Sequence, residues 1–193
     1  MITHDRSMKV LDATEQPSAV SNLAWAIILT LAGVGGSLVI SCVTPFVALA
    51  VALAGTVRLR VALRAMSAIW LTNQFIGFVF FHFPRTTNNA LWGLAIGAAA
   101  LLATAAASIV IKRAGPTLFR LGFALLISYS IYQMMLLATA LVLGGLETFS
   151  PHVIAQLGLI NLVWFAGLIA LNELVAILCK TWLGVTPRLL QAS

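Results

Sequence analysis

The stretch LWGLAIGAAALLATAAASIVI, residues 91–111, decides the fold class of this chain, because it contains no charged residue and no proline. A continuous apolar run of about 20 residues is long enough to cross the hydrocarbon core of a bilayer as a helix. The apolar residues follow one another without a polar residue at every second position, which favours a helix over a strand of a membrane barrel. The stretch therefore predicts a transmembrane helix.

The composition of the whole chain agrees with this interpretation. Its 193 residues are 61% hydrophobic and only 8% charged, whereas a water-soluble domain has about 25% charged residues. The formal net charge of +6 would suggest nucleic-acid binding in a soluble protein. In a membrane protein it is typical of cytoplasmic loops that face an anionic leaflet. We therefore expect the lipid bilayer, and no nucleic acid, among the partners.

The apolar runs along the chain predict an all-α, polytopic membrane protein with six transmembrane helices. The predicted spans are 23–41, 44–57, 62–83, 90–111, 118–143 and 152–178. They form one transmembrane domain, 21–183, between an N-terminal tail, 1–20, and a C-terminal tail, 184–193. The N-terminal tail mixes charges of both signs, which is not the pattern of a cleavable signal.

The positions of the basic residues predict the orientation of the six spans. Ten of the 11 lysines and arginines fall on one side of the membrane: Arg6, Lys9, Arg58, Arg60, Arg64, Lys112, Arg113, Arg120, Lys180 and Arg188. Only Arg85 falls on the other side. The positive-inside rule then places both termini in the cytoplasm. The outward loops lie around Cys42, at 82–89 and at 144–152, and they carry most of the polar chemistry, so we expect recognition on the outer face.

The chain has two cysteines, Cys42 and Cys179, and the six-span topology places them near opposite membrane faces. They are then too far apart for a disulfide, and no C-x-x-C pair indicates a thiol oxidoreductase. Cys42 lies close to Pro45 at an outward helix junction. Two interpretations remain open: a small buried side chain, or a thiolate that binds a soft or borderline metal.

Polar residues near the end of the third span are the next candidates. Asn73 and Gln74 lie inside an apolar helix, where an amide is costly unless it is hydrogen-bonded. They form either interhelical hydrogen bonds or contacts to a ligand. His82 is either a hydrated interfacial residue or a metal ligand. Arg85 either reaches lipid phosphates or meets an anionic group of a ligand.

Other polar or small residues within the spans have structural and functional interpretations as well. Gly93 and Gly97 form a G-x-x-x-G pattern, which indicates close helix packing, either within the bundle or against a partner. Glu173 either pairs with a basic loop residue or takes part in coupling. The fifth and sixth spans hold further polar side chains: Ser128, Tyr129, Tyr132, Gln133, Gln156, Asn161 and Asn172.

The sequence has no G-x-S-x-G, H-E-x-x-H or Walker A motif, so we expect a protein without a conventional enzyme active site.

Three segments resemble the BtuM-like cobalamin group, which is related to the substrate-binding (S) components of energy-coupling-factor vitamin transporters. They are SCVTPFVALAVALA at 41–54, WLTNQFIGFVFFHFP at 70–84 and WGLAIGAAALLATAAA at 92–107. The resemblance covers just over a third of the chain. It implies a six-helix S-component-like bundle in the bacterial inner membrane, with a vitamin pocket that opens outward.

The resemblance also implies a ligand and roles for individual residues. Cobalamin is the ligand that is taken up, Cys42 supplies an axial ligand to its cobalt, and no independent metal is expected. A cysteine thiolate could also help to displace the upper ligand of cobalamin. The depth and chemistry of the residues, rather than the resemblance, give the candidate contacts to the corrinoid rim: Asn73, Gln74, His82, Arg85, Asn88, Asn89 and Tyr132. The implied partners are a coupling subunit with two ATPases, or none for a solitary transporter.

Three other functions are compatible with the residues. The first is an S-component for another vitamin or for a metal ion. The second is a membrane enzyme or a haem- or quinone-binding protein that uses His82 and His152. The third is an assembly subunit without a ligand, whose outward polar residues only contact water.

Overall fold

The computed structural model describes residues 27, 28, 31, 35, 44–114 and 118–183, and the fold of this part is all-helical, as predicted. Its five long elements are α1 (Phe46–Thr56), α2 (Leu59–Val79), α3 (Thr87–Ala114), α4 (Leu118–Leu143) and α5 (Pro151–Leu183). A short 3₁₀ helix, Leu146–Thr148, lies between α4 and α5.

Five predicted spans correspond to these helices, and the span 118–143 coincides with α4. The predicted first span, 23–41, and the loop with Cys42 lie outside the described residues, apart from residues 27, 28, 31 and 35, which are helical. The third span was predicted about three residues too late at both ends, since α2 ends at Val79. The number of six spans stays a prediction.

The shortest helix, α1, lies at the centre of the bundle. It contacts each of the other four helices, and the side chains of Val47, Leu49 and Leu53 have no exposed surface. A helix of 11 residues is about 16 Å long, which is roughly half the thickness of the hydrocarbon core. The apolar character of α1 therefore serves packing against protein on all sides rather than contact with lipid.

The three helices α3, α4 and α5 have the opposite exposure pattern. Each contains a segment long and apolar enough to cross a membrane: Thr87–Arg113, Leu118–Leu143 and Pro151–Val175. Large apolar side chains on these helices are more than half exposed, among them Leu94, Phe119 and Leu159. Water disfavours such extensive apolar exposure. The outer surface of the described bundle is therefore consistent with a membrane-embedded protein.

The helices alternate in direction, so their ends gather at two ends of the bundle. At the upper end, α1, α3 and α5 begin and α2 and α4 end. There, Gly145 lies against the Trp92 side chain of α3. At the lower end, Gly55 of α1 lies against the side chains of Ile111 and Leu121. The two described loops that are predicted to face outward, 82–89 and 144–152, belong to the upper end.

The starts of α3 and α5 have side-chain caps. The Thr86 hydroxyl accepts a hydrogen bond from the Asn89 N–H at 3.3 Å, and the Ser150 hydroxyl accepts one from the Val153 N–H at 3.3 Å. A hydroxyl before the first turn satisfies an N–H that has no partner within the helix. The predicted outward loop 82–89 is therefore shorter than expected, because its last three residues, 87–89, belong to the first turn of α3.

Candidate functional site

Two predicted site residues, Asn73 and Gln74, lie beside the start of α1 at the upper end. The Asn73 side-chain amide donates to the Thr44 hydroxyl at 2.6 Å. The Gln74 side-chain amide donates to the Asn73 carbonyl oxygen at 3.5 Å. Both side chains are half-buried. The Asn73 bond joins α2 to the residue before Pro45, and the Gln74 bond stays within α2. The two amides therefore lie near the segment that leads into α1, and contact of either residue with a ligand stays a prediction.

The start of α1 is held by a residue from a distant part of the chain. Pro45 precedes the first turn and provides no capping bond. The Asn161 side-chain oxygen of α5 instead accepts the Ala48 N–H at 3.1 Å, and its amide donates to the Leu157 carbonyl at 2.9 Å. Because unpaired N–H groups are costly in an apolar interior, Asn161 replaces a local cap.

The G-x-x-x-G pattern is used within the bundle, between α2 and α3. The Trp70 indole N–H donates to the Gly93 carbonyl at 2.8 Å. A Cβ atom at Gly97 would lie 2.5 Å from Trp70 Cε2, and one at Gly93 would overlap the Gln74 side-chain oxygen. Because the two glycines have no Cβ atom, the side chains of Trp70 and Gln74 have room to pack between α2 and α3.

A third predicted residue, Tyr132, lies near the same end of α1. Its ring centroid is 6.4 Å from that of Phe46, the first residue of α1. One turn earlier on α4, the Tyr129 hydroxyl donates to the Ile154 carbonyl of α5 and accepts a hydrogen bond from the Gln133 amide at 2.6 Å. Asn73, Gln74 and Tyr132 thus flank the first turn of α1 from two helices.

The remaining predicted residues that the structure describes lie further out. His82, Arg85 and Asn88 are all exposed. His82 adopts a positive φ of 52°, and its Nδ1 lies 3.1 Å from the Phe80 carbonyl oxygen. Asn89, in the first turn of α3, is half-buried and donates to the Pro84 carbonyl of the preceding loop at 2.9 Å. These residues form a rim at the upper end rather than part of the polar group around α1.

The predicted thiol, Cys42, lies outside the described residues, and Cys179 lies in α5 with its side chain outside them. Within the described part of the chain, no three His, Cys, Asp or Glu residues cluster in a way that could hold a metal ion. A self-contained metal centre built from several such side chains therefore has no support in this region. A single thiolate that binds a metal already carried by a macrocycle does not need such a cluster.

Two members of the site, Thr44 and Asn161, were not among the predicted site residues. The signal for Asn161 was present, since a polar amide in an apolar span usually has a hydrogen-bond partner. Its partner, Ala48, is 113 residues away, and no local pattern indicates that pairing. Thr44 offered no signal beyond its closeness to Cys42.

Comparisons with models of known protein families, with curated proteins and with solved structures found no match for this chain. The chemistry of the residues at the upper end is therefore the basis for assigning a function.

Proposed function

We propose that this chain binds cobalamin at its upper end and mediates its uptake across the bacterial inner membrane. In this proposal the fold is a six-helix, S-component-like bundle, both termini are cytoplasmic, and the upper end faces outward. The distribution of basic residues supports the orientation, because ten of the 11 lysines and arginines fall on the opposite side in the six-span topology. The likeness of three segments to the BtuM-like group supports the choice of ligand.

One observation carries the proposal: Asn73 and Gln74 lie beside Thr44, which follows Cys42 by only two positions. The segment with the outward thiol therefore leads into the polar group at the start of α1. The edge of a corrinoid carries amide side chains, and primary amides both donate and accept hydrogen bonds. Asn73 and Gln74 are suited to recognise those groups.

The other residues at the upper end provide the apolar and charged contacts that a large amphipathic ligand needs. The Tyr132 ring is half-buried beside the first turn of α1, where it packs near Phe46, which is only 5% exposed; Tyr132 is therefore the proposed aromatic contact. His82, Arg85 and Asn88 are exposed on the rim, where they are available for polar groups at the edge of the ligand. Arg85 is the basic residue suited to an anionic group such as a phosphate.

In the proposed mechanism the chain binds and orients its ligand and contributes no catalytic set. Cys42 holds cobalt through its thiolate, a soft ligand suited to such a metal. Asn73, Gln74 and the rim residues orient the macrocycle. Movement to the cytoplasm uses a coupling subunit with ATPases, or proceeds without them in a solitary transporter.

The proposal is tested by the absorbance spectrum of the protein purified after growth with cobalamin. We expect corrinoid absorbance in the wild type and in Cys179→Ala, and its loss in Cys42→Ala. Equal pigment in the Cys42→Ala protein would remove the cobalt-ligand role. Absence of corrinoid from the wild type, together with no binding of added cobalamin, would overturn the function itself.

A further inference from the structure

A basic patch lies at the lower end of the bundle. Its six residues come from the start of α2, the last turn of α3 and the first turn of α4: Arg58, Arg60, Arg64, Lys112, Arg113 and Arg120. Five of the side chains are exposed, and that of Arg120 is half-buried. Among the described residues, none of the six forms an ion pair or a side-chain hydrogen bond.

The packing of α1 brings the three parts of the basic patch together. A Cβ atom at Gly55 would lie 3.4 Å from the Leu121 side chain of α4 and 3.9 Å from the Ile111 side chain of α3. Each of these three residues is followed or preceded closely in the sequence by a member of the basic patch: Arg58, Lys112 and Arg120. Cations from three separate segments therefore surround the end of α1.

The directions of two helices add to this positive charge. Both α2 and α4 begin at the lower end, and the start of a helix carries a partial positive charge that acidic side chains normally balance. Neither helix has an acidic residue in its first turn, where Arg60 and Arg120 lie instead. An anion between the starts of α2 and α4 would balance this charge.

The described carboxylates do not neutralise the basic patch. Glu147 lies in the 3₁₀ helix at the upper end, and Glu173 is exposed on α5 without an ion pair to any described residue. The other acidic residues of the chain belong to the N-terminal tail, outside the described residues: Asp5, Asp12 and Glu15. Because this tail also carries Arg6 and Lys9, its side chains offer little net negative charge.

Exposed apolar side chains beside the basic patch favour a lipid over a soluble anion. Leu118 is 70% exposed and Phe119 is 84% exposed, and both directly precede Arg120 at the start of α4. Basic pockets between membrane helices on the cytoplasmic side suit anionic head groups. A diacyl phospholipid would place its phosphate among the cations and its acyl chains against these apolar side chains, whereas a free phosphate would contact the cations alone.

We propose that the basic patch is a binding site for an anionic phospholipid. Its phosphate lies between the starts of α2 and α4, and its acyl chains contact Leu118 and Phe119. Such a site differs from the general attraction between a basic loop and an anionic leaflet, because it saturates with one or a few lipid molecules and depends on particular cations. It lies at the end opposite the candidate cobalamin site, so the proposal is independent of the proposed function.

The site is tested by native mass spectrometry of the full chain in detergent, without cobalamin. The probes are phosphatidylglycerol, phosphatidylcholine with the same acyl chains, and glycerol phosphate. We expect phosphatidylglycerol to bind about tenfold more tightly than phosphatidylcholine and to saturate, and glycerol phosphate to bind more weakly than phosphatidylglycerol. No preference between the two lipids, or equal binding of glycerol phosphate, would overturn the proposal.

Two matched variants separate the basic patch from net charge. Arg58→Gln with Lys112→Gln removes two exposed cations of the patch, and Arg6→Gln with Lys9→Gln removes two cations of the tail. The first variant should lose the preference for phosphatidylglycerol by about tenfold, and the second should keep it. If both variants keep the preference, or both lose it equally, the basic patch is not the site.

A third variant tests whether the tail occupies the basic patch. Asp5→Asn, Asp12→Asn and Glu15→Gln together remove the carboxylates of the tail. A preference for phosphatidylglycerol that is present in the wild type and kept in this variant supports the lipid site. A preference that appears only after these substitutions would assign the basic patch to the tail and overturn the proposal.

Discussion

Two asparagines on one face of α5 have different hydrogen-bonding outcomes. Asn161 and Asn172 belong to the buried stripe that also contains Phe165 and Leu168, at intervals of four, three and four residues, so all four face the same side of the helix. Asn161 accepts a backbone N–H of α1, whereas the Asn172 side-chain oxygen has no hydrogen-bond partner among the described residues. The same residue type on the same helix face thus bonds α5 to α1 at position 161 and lacks such a bond at position 172.

The polarity of α1 explains the difference. A helix presents unpaired N–H donors at its start and unpaired carbonyl acceptors at its end. A side-chain carbonyl oxygen therefore finds a donor beside the first turn but not beside the last. The last turn of α1 also satisfies carbonyls internally, since the Thr56 hydroxyl donates to Ala52 at 2.7 Å and the Val57 N–H donates to Leu53 at 2.9 Å.

The largest effect is expected from Asn161→Leu. The Ala48 N–H would remain buried without an acceptor, which costs about 1 to 3 kcal/mol. We expect the melting temperature of the protein in detergent to fall by several degrees, measured by intrinsic fluorescence. Gln156→Leu is the matched control, because Gln156 is exposed on the same helix and should change little. A wild-type melting temperature for Asn161→Leu would show that the hydrogen bond between Asn161 and Ala48 does not stabilise the protein.

The next effect is expected from Tyr129→Phe, which keeps the ring over Gly158 but removes the hydroxyl. The Ile154 carbonyl and the Gln133 amide would both lose a partner. A net loss of about 1 kcal/mol should appear in the same thermal assay. A wild-type melting temperature for Tyr129→Phe would show that the hydroxyl does not stabilise the contact between α4 and α5.

A smaller effect of opposite sign is expected from Asn172→Leu. The substitution removes a buried acceptor that has no partner among the described residues, and it fills part of a cavity of about 20 Å³ lined by Thr56, Phe165 and Asn172. Stability should rise by about 1 kcal/mol, which corresponds to about 2 to 4 °C for a chain of this length. Destabilisation comparable to that of Asn161→Leu would mean that Asn172 holds the lower half as firmly as Asn161 holds the upper half.

The smallest effect is the coupling between the two positions. Asn161 and Asn172 are separated by three helical turns, about 16 Å, and substitutions this far apart usually add to within about 0.5 kcal/mol. The double variant Asn161→Leu, Asn172→Leu should therefore have the sum of the two single effects on unfolding free energy. A larger coupling would show that the two halves of the α1–α5 interface respond as one unit.

The candidate site was predictable in its chemistry but not in its arrangement. The amides Asn73 and Gln74 and the ring of Tyr132 were identified because polar and aromatic residues within apolar spans need a reason to be there. The packing of Gln74 against Gly93 and the hydrogen bond between Ala48 and Asn161 were not identified, because each joins residues on different helices. The exposed positions of His82, Arg85 and Asn88 depend on how the loop after α2 turns, which composition does not specify.

The sequence by itself determined that the described part of the chain is helical and that three of its apolar runs are long enough to cross a bilayer. Backbone N–H and C=O groups in an apolar medium must pair within their own segment, so long continuous apolar runs become helices whatever surrounds them. Only the tertiary structure decided that the shortest run, α1, is the central helix and that Asn161 caps it while Asn172 remains unpaired. Those outcomes depend on which helix packs against α1 and on the direction of that helix. Contacts between residues that are distant in the sequence determine both.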